Sequence, residues 1–331
     1  MNSFGRVFRV SLWGESHGVQ IGVSVDGVKP GLELSTADFT ADLDRRRSGA
    51  KGTTPRKESD TPKIVSGAFN DRTTGAPLTI VFENENTISK DYKGLTTHYR
   101  PSHSDRVADV KYGGFQDYRG GGHFSGRITL PLVAAGVVAK KMLGAEVTIS
   151  SEIVELHGER DRDKFEEIVA KAVKSLDSVG GMIECRVDGI PTGVGEPFFN
   201  SVESVISHLL FSIPAVKGVE FGAGFEATRR FGSSNNDRII AADGSTATNN
   251  EGGINGGISN GNQIVLRVAI KPTASISSEQ MTFNTESGEV EPLVIHGRHD
   301  ACIALRAGVV VEAAVAIALA DLMLCVQAPV K

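Results

Sequence analysis

The most apolar stretch of the chain, Ala301–Val326, reads ACIALRAGVVVEAAVAIALADLMLCV. The stretch is long enough to span a bilayer, but it carries Arg306, Glu312 and Asp321, whose charges would be costly in lipid. A helix formed by these residues is apolar around nearly its whole circumference, which is typical of helices buried inside a protein. We therefore expect a core helix here and not a membrane span.

The composition is that of a soluble protein with a sizeable core. The chain has 331 residues, of which 40% are hydrophobic and 23% charged, and these shares argue against disorder or a fibrous repeat. The net charge of −5 argues against nonspecific binding of nucleic acid, so that any cationic site must be local. The 38 glycines exceed the usual share of roughly 7%, which indicates tight turns or backbone close to a ligand.

Cysteine usage and the N-terminal residues predict the cellular compartment. Cys185, Cys302 and Cys325 lie far apart with no Cys-x-x-Cys pair, which argues against a disulfide framework or a zinc ribbon. Residues 1–9 contain no apolar run of the length that a secretory signal needs. We expect a cytoplasmic protein with reduced thiols and with no membrane or nucleic-acid partner.

Local patterns indicate both strands and helices, which predicts a mixed α and β class. Strands are predicted at Arg6–Leu12, Gln20–Asp26, Lys63–Phe69, Leu78–Glu83, Met182–Asp188 and Ile264–Lys271. Helices are predicted from a Ser35 cap to about Arg47, over Leu132–Leu143, over Lys164–Leu176 after an Asp163 cap, and from Asn200 or Ser201 onward. The polar stretches Asn84–Arg100 and Ser233–Asn262 have the length of functional loops.

One short pattern occurs twice. Val25-Asp26-Gly27-Val28 followed by Gly31 resembles Val187-Asp188-Gly189-Ile190 followed by Gly193, and each copy joins a predicted strand to a turn and a capped helix. Chance similarity between two strand exits is one interpretation. The other is a single domain, 1–331, with two similar halves of approximately 1–160 and 161–331, whose helices pack together between outer sheets.

Two clusters near the N-terminus are suited to chemistry. His17 stands between Gly14 and Gly18 directly after a strand, where its imidazole is approachable, although a locally hydrogen-bonded histidine is the simpler interpretation. Asp44-Arg45-Arg46-Arg47 ends a predicted helix, and consecutive residues spread by about 100° cannot share one target. Cations at a helix C-terminus explain one or two of these arginines, and an anion site is the alternative.

Glycine-rich segments further along the chain are suited to ligand binding. The triple glycine Gly120-Gly121-Gly122 precedes Ser125, Arg127 and a helix, which suits backbone amides around a phosphate or a flat cofactor edge. Other candidate segments are Arg100–Asp105, Asn249–Gly261, Lys271–Ile276 and Gly297–Cys302. For Asp300 in the last segment, a helix cap is the simpler interpretation.

Two further patterns are weighed and disfavoured. Gly222-Ala223-Gly224-Phe225-Glu226-Ala227 matches a dinucleotide fingerprint, but Gly232 interrupts the helix that should follow. His296-x-x-His299 with Asp300 could ligate a metal, yet a third well-placed ligand is not evident, and we expect no metal.

Taken in order, several of these blocks resemble the chorismate synthase family over nearly the entire chain. The resemblance is carried by Gly14–Gly18, Leu43–Arg47, Thr53–Glu58, Asp117–Gly122, Gly256–Gly261, Lys271–Thr273 and Gly297–Asp300. It implies an α+β fold with a central helical layer sandwiched between antiparallel β-sheets, an internal pseudo-two-fold repeat and a homotetramer. It also implies the anti-1,4-elimination of phosphate from 5-enolpyruvylshikimate 3-phosphate to give chorismate, with reduced FMN and no net redox change.

The resemblance assigns roles to individual residues. It implies that His17 is a general acid near the leaving phosphate, that His103 acts on the reduced flavin, and that Asp300 relays a proton near flavin N5. The implied FMN-binding residues are His123, Phe124, Ser125, Pro214, Ala215, Gly256, Lys271, Pro272, Thr273, Ala274, Ser275 and Arg298. The residues implied for substrate or NADP binding are Arg46, Arg47, Arg127 and Arg306.

The chain departs from the commonest family pattern at three places, one of which is the loop after Arg47, shorter by one residue. His123-Phe124 stands where Arg-Ser is frequent, so a protonated His123 would have to supply that cationic contact. Ser102 stands where glycine is common. Two other functions remain open at this point: an NADPH-dependent flavin reductase, and a noncatalytic flavin- or anion-binding module.

Overall fold

A computed structural model describes residues 2–49, 51–54, 59–85, 94–297 and 299–326. Within these residues, the α-helices are α1 (Thr40–Arg46), α2 (Asp105–Tyr112), α3 (Thr129–Leu143), α4 (Phe165–Lys174), α5 (Val202–Leu210), α6 (Gly232–Asn235) and α7 (Ala304–Cys325). The strands are β1 (Ser3–Phe4), β2 (Arg9–Gly14), β3 (Gln20–Asp26), β4 (Lys63–Ser66), β5 (Ala68–Phe69), β6 (Arg72–Thr73), β7 (Leu78–Glu83), β8 (Thr148–Leu156), β9 (Gly181–Asp188), β10 (Val216–Phe221), β11 (Ile254–Asn255), β12 (Ile258–Ser259), β13 (Ile264–Ile270), β14 (Gln280–Asn284) and β15 (Glu289–Leu293).

Two antiparallel sheets enclose a layer of helices. The first sheet has the strand order β1-β2-β3-β7-β4 and the second has the order β10-β13-β9-β8. Helix α3 packs against β3, β7 and β2 of the first sheet, whereas α7 packs against β8 and β9 of the second. The two helices also pack against each other. The α+β fold with a helical layer between antiparallel sheets is therefore confirmed.

Helix α7 is the buried core helix that the sequence predicts. By length and composition it could cross a membrane, but 78% of its most apolar window is buried inside the protein. The helix begins at Ala304 and not at Ala301, because the carbonyl oxygen of Ala301 accepts the backbone N–H of Val179 at 2.8 Å in place of an intrahelical donor.

The two carboxylates on α7 are buried and fully paired. Glu312, 1% exposed, accepts hydrogen bonds from both terminal nitrogens of Arg45 at 2.8 and 2.6 Å. It also accepts from Lys140 at 3.0 Å and from the Ser151 hydroxyl at 2.7 Å. These donors come from α1, α3 and β8, so one side chain joins three elements to the core helix.

Asp321 ties the N-terminal segment to the other end of α7. Its carboxylate is 2% exposed and accepts the backbone N–H groups of Arg6, Val7 and Phe8 at 2.7 to 3.0 Å. The predicted strand Arg6–Leu12 is therefore wrong at its start: these N–H groups bind Asp321, and β2 begins at Arg9.

Other predicted elements differ at their ends. Helix α4 ends at Lys174, and the side chain that caps its leading turn is Asp161, which accepts the N–H of Asp163 at 3.2 Å, so the predicted Asp163 cap is wrong. The predicted strand Lys63–Phe69 divides at Gly67, whose φ of +83° breaks extended backbone. The strands β8, β10, β14 and β15 were not predicted.

The repeated sequence pattern has the same local geometry in both copies. Gly27 and Gly189 have φ values of +79° and +83°. A Cβ built on either glycine would lie 1.9 Å from a carbonyl oxygen, that of Val7 or of Glu146, so that only glycine fits at both turns. The organisation into two similar halves stays a prediction, and this shared geometry supports it.

The crossing of α3 and α7 predicts a sensitive position. A Cβ built on Gly136 would lie 2.3 Å from the Cβ of Ala313, so Gly136→Ala would push the two helices apart. Overpacking of this kind costs about 1–3 kcal/mol. We expect denaturant unfolding to show that loss for Gly136→Ala and none for Gly232→Ala, where the added Cβ meets no atom within 4 Å. Equal stability of the two variants would contradict the close crossing.

The buried Glu312 predicts acid sensitivity. Burial opposes its charge, but hydrogen bonds from Arg45 and Ser151 and the charge of Lys140 lower its pKa below the ordinary value of 4.5. Its contribution to stability is therefore present above that value and is lost as the pH falls through the lower folded pKa.

For Glu312→Gln we expect the free energy of unfolding at pH 7 to fall by about 3 kcal/mol, since a buried pair is broken. The difference from wild type should shrink in acid, where the wild-type carboxylate is protonated. The exposed Glu166, which pairs with Lys51, is the matched control, and Glu166→Gln should have little effect. A pH-independent difference for Glu312→Gln would refute this account.

Candidate active site

A cavity of about 1030 Å³ opens where the two sheets and the helical layer meet. Its walls are formed by the end of α1, the segment before α2, the glycine-rich segment before α3, the residues between α5 and β10, the segment after β13 and the start of α7. Most of the predicted site residues contribute to these walls. They are His103, Asp300, Arg46, Arg47, Arg127, Arg306, His123, Phe124, Ser125, Pro214, Ala215, Lys271, Pro272, Thr273, Ala274 and Ser275.

Three predicted site residues do not line the cavity or are not described. Gly256 lies in the turn of the β11–β12 hairpin, with a φ of +60°, and is not a wall residue. His17 is buried behind the wall, where its ring contacts Gly120. Arg298 lies outside the described residues.

The two predicted catalytic histidines lie against neighbouring glycines. A Cβ built on Gly120 would lie 2.3 Å from two ring atoms of His17, and one built on Gly121 would lie 3.5 Å from the ring of His103. Both glycines have positive φ, +61° and +81°. The backbone at Gly120 therefore passes so close to the His17 ring that no side chain fits there, whereas a Cβ on Gly121 would make only an ordinary contact with His103.

The three consecutive arginines point to three different partners, as the sequence predicts. Arg45 binds Glu312 on the core helix, and Arg47 is half-exposed and pairs with Asp44. Arg46 turns into the cavity wall, where its Nε donates to the Thr129 hydroxyl at 3.0 Å and its Nη2 donates to the Gly126 carbonyl at 2.9 Å. Only Arg46 and Arg47 of this run face the cavity.

Asp60 lies between two buried arginines. Its carboxylate is 4% exposed, forms an ion pair with Arg127 and lies 3.6 Å from Nη1 of Arg46. Burial lowers the pKa of Arg46 to about 9, with Arg306 acting in the same direction and Asp60 opposing it, so the guanidinium stays charged at neutral pH. One carboxylate therefore faces two cations in the wall, and the group of three keeps a net positive charge.

Asp300 is held at the start of α7. Its Oδ2 accepts from Arg306 Nη2 at 2.6 Å and its Oδ1 accepts the backbone N–H of Thr54 at 2.9 Å. Among the described residues, Arg306 Nε and His299 Nε2 are buried without a hydrogen-bond partner, and both residues line the cavity. Buried polar atoms of this kind are normally hydrogen-bonded, which indicates that a polar ligand completes the site.

His103 is fixed in the wall by a hydrogen-bonded carboxylate. Its Nδ1 lies 2.7 Å from Oδ1 of Asp105, whose carboxylate also accepts from Nε and Nη2 of Arg100 at 2.7 Å each. Burial lowers the pKa of His103, and the charges of Arg100 and Lys271 act in the same direction, whereas Asp105 opposes them. The imidazole is therefore biased toward its neutral form.

The departures from the family pattern are accommodated in different ways. His123 does not aim its nitrogens into the cavity: Nδ1 lies 2.9 Å from the Gly14 carbonyl oxygen and Nε2 lies 3.2 Å from Oδ1 of Asn2. Ser102 adopts a φ of +58°, a left-handed conformation that explains why glycine suits this position. Its carbonyl oxygen accepts from Lys271 Nζ at 2.8 Å.

The cavity wall has more cationic than anionic side chains. Arg46, Arg47, Arg100, Arg127, Arg306, Lys217 and Lys271 line it, against the carboxylates of Asp60 and Asp300. Guanidinium groups suit phosphate and carboxylate oxygens, so the arrangement favours a ligand with several negative charges. The sequence identifies most of these cations but misses the roles of Asp60 and Arg100, because no local pattern indicates their partners.

The disfavoured patterns have other structural roles. Gly222 and Gly224 follow β10, which pairs antiparallel with β13 at the edge of its sheet, whereas a dinucleotide fingerprint needs a parallel βαβ unit. In the part of the chain that the structure describes, no group of three or more His, Cys, Asp or Glu side chains could hold a metal ion.

Comparisons with known proteins agree with the resemblance seen in the sequence. Residues 8–324 match the family model described as chorismate synthase. A chorismate synthase from Chitinophaga pinensis is 59% identical over 327 residues, covering 99% of this chain and 98% of that protein. A chorismate synthase from Synechocystis sp. is 41% identical over 360 residues, covering 100% and 99%. A crystal structure of chorismate synthase matches with a TM-score of 0.72 at 27% identity, covering 97% of this chain and 92% of that chain.

The position of Asp60 between two cations predicts a stability effect that an anion can offset. Asp60→Asn leaves Arg46 and Arg127 buried without a counter-charge, and breaking a buried pair in this way costs about 3–5 kcal/mol. We expect thermal unfolding to show the loss, and added inorganic phosphate to raise the melting temperature of Asp60→Asn more than that of wild type. The control Glu226→Gln removes the exposed ion pair with Arg229, which does not line the cavity, and should change neither the melting temperature nor its response to phosphate. A phosphate response equal to that of wild type would argue against an anion site at these arginines.

Proposed function

Because the chain belongs to the chorismate synthase family of carbon–oxygen lyases, we propose that it catalyses anti-1,4-elimination of phosphate from 5-enolpyruvylshikimate 3-phosphate. The product is chorismate, the reaction is the seventh step of the shikimate pathway, and it requires reduced FMN without net redox change. The observation that carries the proposal is the cation-rich cavity that brings His103, Asp300 and four predicted arginines together, with His17 against its wall. The comparisons do not favour the alternative of an NADPH-dependent flavin reductase.

The charge of the cavity suits the substrate. The substrate carries a phosphate and two carboxylates, and Arg46, Arg47, Arg127 and Arg306 are the proposed partners of these anions. Arg46 and Arg127 are held in place by Asp60 and by hydrogen bonds to the wall, so they are oriented before a ligand arrives. The buried Nε of Arg306 has no partner among the described residues and is available to a ligand oxygen.

The remaining predicted wall residues are the proposed partners of a flavin. His123–Ser125, Pro214-Ala215 and Lys271–Ser275 line the same cavity, whose volume of about 1030 Å³ can admit a cofactor and a small substrate. Among the described residues, Nε2 of His299 is buried without a hydrogen-bond partner, which supports a polar ligand group in this region. Arg298 belongs to the proposed set by the family resemblance. The predicted contact of Gly256 stays a prediction. These residues would hold reduced FMN, which would lend electron density to the elimination and recover it afterwards.

Side chains of the protein would donate and accept the protons of the reaction. His17, against Gly120, is proposed to protonate the departing phosphate, while His103 holds or releases a proton at the atom that faces the bound cofactor. Asp300, clamped by Arg306 and the Thr54 N–H, is proposed to relay the proton lost from the substrate ring. The surrounding arginines stabilise the negative charge that develops on the leaving group.

We also propose the assembly and location that the family implies. Large aromatic side chains are exposed at Phe198, Phe199, Phe225 and Phe231, each by 73% or more, and such surfaces mark protein interfaces. They offer apolar surface for contacts between subunits, and the proposal of a homotetramer rests on the family resemblance. The enzyme is proposed to be cytoplasmic. NADPH is proposed as the source of electrons for FMN, and Arg46 is the residue matched to NADPH binding.

The decisive experiment is an anaerobic assay with chemically reduced FMN and 5-enolpyruvylshikimate 3-phosphate. We expect phosphate and chorismate to appear in equal amounts over many turnovers, while the flavin absorbance returns to that of the reduced state. A flavin reductase would consume NADPH continuously and release no phosphate. A binding module would bind FMN and release nothing, and either result would overturn the proposal.

In the same assay, His17→Ala and His103→Ala should each slow phosphate release by about 10²- to 10⁴-fold, the usual loss for a general acid or base. His98→Ala is the control, because His98 contacts the Thr282 carbonyl in another part of the molecule and does not line the cavity. Circular dichroism should show that all three variants fold. Wild-type rates for the first two variants would remove those assignments.

A further inference from the structure

A chain of buried hydrogen bonds runs from Ser275 through Arg100 and Asp105 to His103. The proposed function gives no role to this chain of bonds. Arg100 donates Nη1 to the hydroxyl of Ser275, a cavity wall residue, at 2.9 Å. The rest of its guanidinium grips Asp105: Nε donates to Oδ2 and Nη2 donates to Oδ1, each at 2.7 Å. The backbone N–H of Arg100 also donates to Oδ2, at 3.2 Å. The remaining acceptor site on Oδ1 faces Nδ1 of His103.

The charge state of Asp105 determines where the proton lies. Burial opposes ionisation, but hydrogen bonds from Arg100 and His103 lower the pKa of Asp105 well below its ordinary value. Asp105 is also the first residue of α2, where the helix dipole favours a negative charge. An ionised carboxylate can only accept hydrogen bonds. The proton between the two side chains therefore belongs to Nδ1 of His103.

The other ring nitrogen is directed toward the ligand space. His103 lines the cavity and its side chain is 20% exposed. Among the described residues, its Nε2 has no hydrogen-bond partner. In a neutral imidazole with Nδ1 protonated, Nε2 carries the lone pair.

We propose that Asp105, gripped by Arg100, is a positioning residue that holds neutral His103 in the Nδ1–H tautomer and so makes Nε2 the atom that exchanges a proton in the cavity. The catalytic meaning of this tautomer rests on the proposed function, whereas the tautomer itself does not.

The charged groups around His103 shift its pKa in opposite directions. Arg100, Lys271 and His299 face it and disfavour a second proton, and Asp105 favours one. Arg100 neutralises part of the Asp105 charge, so that the carboxylate orients the imidazole without making it permanently cationic. The pair resembles the carboxylate and histidine of a hydrolytic triad in its division of roles.

Asp105→Asn gives a sharp test because the two carboxylate oxygens differ in their donors. Oδ2 accepts two donors from Arg100, and Oδ1 accepts one from Arg100 and one from His103. The asparagine oxygen should occupy the Oδ2 position, which leaves the NH₂ group facing Nδ1. That group donates, so Nδ1 becomes the acceptor and the ring proton moves to Nε2.

The measurement is the ¹⁵N chemical shift of both ring nitrogens of His103, in protein labelled at histidine and assigned with His103→Gln. In wild type we expect a protonated Nδ1 and an unprotonated Nε2, and in Asp105→Asn the reverse. The NMR titration of His103 should also shift to lower pH in Asp105→Asn, because the charge that favours its second proton is lost. Asp109→Asn, on the same helix but bonded to Tyr99 and Gln116, should leave both results unchanged.

In the phosphate-release assay, Asp105→Asn should lower kcat by about 10²- to 10⁴-fold with KM unchanged. An Nε2–H tautomer in wild type would overturn the proposal, and so would an unchanged tautomer or an unchanged kcat in Asp105→Asn. The wild-type spectrum needs no variant and decides the tautomer even if Asp105→Asn does not fold. If wild type releases no phosphate, the proposed function fails while the NMR result still stands or falls separately.

Discussion

The burial of α7 is the constraint on which the rest of the structure depends, and it requires that two carboxylates be paired far from water. An unpaired charge inside a protein is costly, so Glu312 and Asp321 have to recruit donors from elsewhere in the chain. Glu312 takes them from α1, α3 and β8, and Asp321 takes them from the N-terminal backbone. The charges that exclude a membrane span are thus the same groups that fasten the sheets and the helical layer together.

The same helix also links the fold to the chemistry. Its first turn carries Arg306, which clamps Asp300 at the cavity. The arginine run on α1 contributes to both the core and the cavity. Arg45 binds the buried carboxylate of Glu312, and the next residue, Arg46, lies in the cavity wall. Because neighbouring residues on a helix point in different directions, one short sequence can stabilise the core and place a cation in the cavity wall.

The sequence predicts elements well where the signal is local. The strands Gln20–Asp26 and Leu78–Glu83 are found with the predicted bounds, because alternating and β-branched residues report directly on a half-buried strand. The start of β2 could not be predicted, since its partner Asp321 lies more than 300 positions away in the chain. The cations of the site are recognisable as arginines in glycine-rich surroundings, whereas the counter-charge Asp60 becomes visible only when distant segments meet. Likewise, the link from Ser275 through Arg100 to His103 joins residues that no sequence spacing relates.

The glycine pair Gly120-Gly121 has a consequence for the two imidazoles beside it. The ring of His17 lies directly against Gly120, and the ring of His103 lies near Gly121, the next residue. A shift of this short backbone segment would therefore change the surroundings of both rings at once. Substitutions in this segment would not alter the environment of one imidazole alone.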